Sequence, residues 1–189
     1  MEKIPARKIA RVLYVLVLVT LVCNLIALFL VPTFVALKGN LFELLDIWHD
    51  PQDPVNPLVV MLLMWPNMIL RENIAYEQVL TLFLLFSGCC TAVILWQARR
   101  VLNTILRGEP FSAENAVSLR RAAWACFLIA GAALARVIFS VCYYRSPLPL
   151  ASYNALFVPM FAMGGLLCLV MSALFRQAAE IKAENDLTI

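Results

Sequence analysis

Apolar residues gather into four long runs, at residues 9–37, 78–96, 122–144 and 155–175, and the charged residues fall almost entirely between and beside them. Each run reaches the roughly 20 residues needed to cross a hydrocarbon core as a helix. None has the strict alternation of a half-buried strand, and a lipid core offers no partner for unpaired backbone groups. The pattern predicts an all-α, integral membrane four-helix bundle. A basic start of Lys3, Arg7, Lys8 and Arg11 precedes the first run, as it would in a secretory signal peptide. That run exceeds the roughly 7–15 residues of a signal core and ends in no small-residue cleavage pattern, so it reads as an uncleaved first span.

The connection at residues 38–76 is too long and too apolar for an ordinary loop. Asn40, with Glu43 three residues on, makes a capping-box-like start for a short helix through Trp48, which Pro51 and Pro54 end. A second apolar piece, residues 57–70, is interrupted by Pro66 and is too short to span, so it is expected in the interface or dipping back into the bundle. Short interfacial helices then roof one face. Residues 97–121 read as a helical hairpin: the second helix continues to Leu106, Gly108 and Pro110 stop it, and Ser112 caps the next, with Glu114 in its first turn. Val101, Leu102, Ile105 and Leu106 of one arm meet Ala116, Val117 and Leu119 of the other, either packing together or leaving a groove for a partner. Beyond the fourth span, helix is expected through Ala183, with residues 176–189 forming a tail.

A composition of 63% apolar and 14% charged residues agrees with the membrane class. So does a mean hydropathy of +0.85. No segment is polar enough for a second folded unit, so residues 1–189 form one domain. Eleven Lys and Arg residues lie at the amino terminus, in the hairpin and in the tail, against three (Lys38, Arg71 and Arg145) in the other two connections. Basic residues are retained on the inner side, so both termini and the hairpin are expected in the cytoplasm. The net charge of +3 follows from that topology and calls for no direct nucleic-acid contact.

The remaining basic residue, Arg136, lies inside the third run, where an ionised guanidinium costs several kcal/mol unless it reaches water or polar partners. Counting about 1.5 Å per residue from the flanking basic residues puts Arg136 in the outer half, in one layer with Asn24 and Ser87. On the fourth span the matching level falls near Met163, Gly164 and Gly165. These three polar residues are candidate ligands for an anionic or polar small molecule in an outward-facing pocket. The other reading is a structural arginine reaching the interface, paired with Glu72 or Glu77. Gly88 with Ala92, Gly131 with Ala135, and Ala162 with Gly164 and Gly165 are small-residue tracks that let helices approach within one chain or between the copies of a homo-oligomer.

Other chemistry is sparse. Six cysteines fall within the spans without a C-x-x-C pair, and read as small hydrophobes. Asp46, His49, Asp50 and Asp53 supply oxygen and imidazole groups of the kind that hold a divalent cation, but Pro51 breaks the spacing and a solvated acidic loop is the simpler reading. No carboxylate interrupts a span, no phosphate loop is present, and no base accompanies a nucleophile, so neither an enzyme nor a cofactor is expected.

Two motifs carry a family resemblance: Gly108-Glu109-Pro110-Phe111-Ser112-Ala113-Glu114-Asn115, followed by Leu119-Arg120-Arg121, and the terminal Glu184-Asn185-Asp186-Leu187-Thr188-Ile189. Together with the four-helix layout, they resemble the bacterial domain-of-unknown-function 2975 family of short multi-span membrane proteins. The resemblance implies a bacterial inner (plasma) membrane and a regulatory partnership with a small Cro/CI-type helix-turn-helix protein, often encoded alongside. It transfers no catalytic residue. Phe111, Asn115 and residues 184–189 are the candidate partner contacts, although the tail suits docking against its own hairpin equally well. The leading expectation is a non-enzymatic regulatory or sensory protein. A transporter or channel subunit around Arg136 is the alternative, and a lipid-modifying enzyme ranks third.

Overall fold

The computed structural model describes residues 6–36, 75–109 and 111–186, all of them in helices or short turns. Four helices follow in order: α1 (Ala6–Ala36), α2 (Ala75–Arg107), α3 (Ala113–Tyr144) and α4 (Phe157–Asp186). Two 3-10 turns, Leu148–Ala151 and Tyr153–Leu156, join α3 to α4. The expected interfacial helices, the acidic group Asp46, His49, Asp50 and Asp53, and the last residues Leu187, Thr188 and Ile189 lie outside the described residues. All four helices are long and apolar enough to cross a membrane. At 30 to 33 residues each, and about 1.5 Å per residue, they exceed a hydrocarbon core of roughly 30 Å, so their ends project from it.

Successive helices run antiparallel, and named contacts fix their register. Between α1 and α2, the Tyr14 hydroxyl accepts from Arg99 Nε at 3.3 Å, and Leu28 lies over Gly88. Between α2 and α3, Thr104 meets Asn115 at one end and Phe83 meets Arg136 nearer the other. Between α3 and α4, Ser172 donates to the Ala116 carbonyl at 2.7 Å, Phe127 lies over Gly165, and Phe111, just ahead of α3, sits 6.1 Å from Phe175. Both described chain ends and the α2–α3 hairpin therefore occupy one end of the bundle, here the hairpin end. The 3-10 turns mark the other, the turn end.

The main contacts run α1–α2, α2–α3 and α3–α4, so the helices form a row with α2 and α3 inside it, α3 being the more buried of the two. Alanines explain why α3 is packed so closely. Ala122, Ala123, Ala125, Ala130 and Ala133 are buried on it, short enough for α2 and α4 to pack closely on either side. Ile129, the largest apolar side chain there and 1% exposed, packs with Ala125 and Cys90, against Ile94 and Phe161.

The small-residue tracks divide. Gly88 and Gly165 are contact glycines: a Cβ at either would lie 2.6 Å from Leu28 Cδ2 or 2.9 Å from Phe127 Cε1. Gly131 and Gly164 have nothing within 4 Å among the described residues, and Gly131 and Ala135 are exposed. On α3 it is the alanine face one step round the helix that packs. The cysteines divide too. Cys90 and Cys126 are buried and behave as small hydrophobes, whereas Cys23, Cys89 and Cys142 are exposed on the lipid-facing side of their helices.

Candidate functional site

Asn24, Ser87 and Arg136, from three different helices, line a single cavity of about 340 Å³. The register explains the meeting, since α1 and α2 cross at Leu28 and Gly88, and α2 and α3 meet at Phe83 and Arg136. Asn154 of the second 3-10 turn and Phe157 and Phe161 of α4 close the cavity, rather than Met163, Gly164 and Gly165. Phe175 reaches Phe111, at the tip of the hairpin, so α4 sits further toward the hairpin end than counting suggests and its earlier residues face Arg136.

The cavity has an apolar body and few polar groups. Leu28, Leu84, Phe83, Phe157 and Phe161 form most of the wall, with the last two rings stacked at 6.0 Å. Asn24 Oδ1 and Ser87 Oγ are shielded from solvent and have no hydrogen-bond partner among the described residues. Such groups typically cost about 1–3 kcal/mol when unsatisfied. Thr91, also on the wall, is spoken for: its hydroxyl donates to the Ser87 carbonyl at 2.8 Å. Pro32 in α1 lacks an N–H, so the Leu28 carbonyl loses its usual helical donor.

Arg136 is partly buried, with its guanidinium carbon 4.9 Å from the centre of the Phe83 ring. That cation–π contact offsets about 0.5–2 kcal/mol of the cost of placing the charge there. The expected pairing with Glu77 is not made. Among the described residues Arg136 forms no ion pair, and Glu72 lies outside them. A second cavity, of about 140 Å³, lies against the other side of Arg136 and is lined by Tyr76, Ser140, Tyr144, Pro149, Ser152 and Asn154. Arg136 and Asn154 border both spaces. The smaller one is a polar vestibule at the turn end, and the larger one is a mainly apolar chamber beneath it. An open groove of about 390 Å³ between α2 and α3, running from Phe86 to Arg121 and Gln97, belongs to the apolar surface instead.

At the hairpin end the sequence-derived boundaries hold. Gly108, at φ +87°, donates to the Ile105 carbonyl, and Glu109 N donates to Thr104 O, which together close α2 in a Schellman turn. Ser112 occupies the N-cap position of α3, but its hydroxyl makes no capping bond. Its carbonyl accepts from Asn115 N at 3.0 Å. Asn115, expected to face a partner, is 1% exposed, and its Oδ1 accepts from the Thr104 hydroxyl at 2.8 Å. It therefore locks the two arms together. Leu102, Ala116 and Ser118 are buried, with Ser172 of α4 donating to the Ala116 carbonyl, whereas Val117 faces outward. Phe111 is 54% exposed on its other side. Glu184, Asn185 and Asp186 belong to α4 rather than to an extended tail, and Glu184 and Asn185 make contacts of their own.

Among the described residues no group of three or more His, Cys, Asp or Glu side chains is placed to hold a metal. The site is a mainly apolar cleft with one guanidinium and a few polar groups, in a bundle of four helices long and apolar enough to cross a membrane, which defines a multi-pass helical membrane protein. Residues 49–189 match the family model described as Protein of unknown function (DUF2975), so the chain belongs to that family. No curated protein and no solved structure matches it.

Proposed function

We propose that this chain is a non-enzymatic sensory or regulatory protein of a bacterial inner membrane, with both termini and the hairpin in the cytoplasm. The cavity at Arg136 is its sensing site, and the hairpin end contacts a small helix-turn-helix regulator. The orientation rests on the eleven Lys and Arg residues at the termini and hairpin. One observation carries the functional reading: α2 and α3 each run unbroken from the cavity, at Ser87 and Arg136, to the hairpin lock, at Thr104 and Asn115. A change in how α2 and α3 sit around a ligand is thereby conveyed to the hairpin as movement of two rigid rods.

The hairpin end also offers a contact surface. Phe111 and Ile181, at 54% and 59% exposure, lie near the ends of helices that extend beyond the hydrocarbon core. The test is recovery of the adjacent regulator from detergent extracts, with the full chain as bait. Recovery that falls when Phe111 and Ile181 become Ser supports the reading. Equal recovery from an unrelated membrane bait defeats it. Anion flux into liposomes that requires Arg136 would favour a transport subunit instead.

A further inference from the structure

We propose that the chamber takes a compact, water-soluble organic anion with two polar ends: a carboxylate at Arg136, a hydrocarbon or aryl body, and a hydroxyl or N–H group at its far end. This rests on the reading of the Arg136 cavity as a ligand site and specifies what fits there. Three observations set the chemistry.

Charge comes first. Arg136 stands where the vestibule meets the chamber, with the Phe83 ring on one side and no ion-pair partner among the described residues. A carboxylate can take two parallel N–H donors from a guanidinium, and removal from bulk water strengthens that pairing. The ligand's body is set by the wall, where Phe83, Phe157, Phe161, Leu28 and Leu84 offer only apolar surface. The far end is set by Asn24 Oδ1 and Ser87 Oγ, two polar atoms that nothing among the described residues satisfies.

Depth separates the two ends. Arg136 stands opposite Phe83, Ser87 lies four residues further toward the hairpin end, and Asn24 lies four residues beyond Leu28, which is opposite Gly88. Along the bundle axis that is about 6 Å from Arg136 to Ser87 and about 13 Å to Asn24. The chamber is therefore polar at its mouth and at its floor, and greasy between. A fatty acid would bring a methyl terminus to Asn24 and Ser87 and leave both unsatisfied, so the floor selects against simple acyl chains. A volume of about 340 Å³ stands at the lower end of typical small-molecule sites.

The full chain in phosphatidylcholine nanodiscs is tested by thermal unfolding against para-hydroxyphenylacetate, phenylacetate, para-hydroxyphenylacetamide, hydroxyhexanoate with its hydroxyl at the chain end, hexanoate and laurate. At least one hydroxylated anion is expected to raise the unfolding temperature saturably. Its deoxy partner should bind about tenfold more weakly, and para-hydroxyphenylacetamide should give no shift. Arg136→Gln should weaken the hydroxylated anion about 10- to 100-fold. Ser87→Ala, which removes a hydroxyl bonded to nothing, should leave the fold intact and shrink the advantage of the hydroxylated probe, so the proposal stays testable even where Arg136→Gln fails to fold. No saturable shift with any anion, a shift that persists in folded Arg136→Gln, or laurate binding as well as the hydroxylated anions would overturn the proposal. Saturable binding combined with failure to recover the regulator would leave the site standing and remove the signalling role.

Discussion

Replacing each of four glycines by alanine should sort them by what lies opposite. Alanine brings the same gain everywhere in a helix, about 0.5–1 kcal/mol from the conformational freedom that glycine loses. The difference between sites is then the cost of the added methyl. At Gly165 that methyl would lie 2.9, 3.0 and 3.1 Å from three atoms of the Phe127 ring, where carbon contacts are ordinarily about 3.5–4.0 Å. A flat ring cannot yield at one atom alone, so α3 and α4 must separate, and overpacking of this kind costs about 1–3 kcal/mol. At Gly88 the nearest atom is Leu28 Cδ2 at 2.6 Å, but Leu28 borders the chamber and can swing into it. Gly88→Ala should cost less than Gly165→Ala and leave a smaller cavity. Gly131 and Gly164 face nothing within 4 Å and should be neutral or stabilised. Unfolding by sodium dodecyl sulfate in mixed micelles reads all four on one scale. Equal effects at the four sites would refute the helix register. Destabilisation at Gly131 alone would mean that a second copy packs on that face.

Three further outcomes follow from the hairpin and the topology. Asn115→Ala removes the side-chain bond between the arms, while the Thr104 hydroxyl keeps the Val101 carbonyl at 2.7 Å, and should lower stability by about 0.5–1.5 kcal/mol in the same assay; an unchanged midpoint would show that the lock contributes nothing. Gly108→Ala meets a backbone at φ +87° and should cost about 1 kcal/mol without altering the chamber, which unfolding and probe affinity measured together will check. In a cysteine-free background, Ser146→Cys should react with an impermeant maleimide added outside cells and Glu109→Cys only after permeabilisation. The reverse pattern would invert the orientation.

Some of this was readable from the residues alone, for physical reasons that differ by level. Span lengths and apolar runs determine where helices cross a membrane, and Gly108, Pro110 and Ser112 mark a hairpin because few residues tolerate those backbone positions. That Asn24, Ser87 and Arg136 border one cavity was legible because helical rise is constant, so counting residues measures depth to within a turn or two. Depth says nothing of the direction in which a side chain points. Asn115 therefore turned out to face its own hairpin, Gly131 to face outward and Arg136 to meet Phe83 rather than Glu77. The vestibule was hidden for another reason: its Tyr76, Ser140, Ser152 and Asn154 are ordinary polar residues near helix ends, and only the folded register gathers them around Arg136. A useful signal was present in Ser152 and Asn154, polar residues just ahead of the fourth run at the level opposite Arg136.

The central claim is that occupancy of the chamber is felt at the hairpin. Hydrogen exchange of residues 101–118 in nanodiscs, with and without the hydroxylated anion that binds most tightly, measures this directly. The account predicts altered protection around Thr104 and Asn115 in the wild type and none in Arg136→Gln. Saturable binding that leaves hairpin exchange unchanged would contradict it.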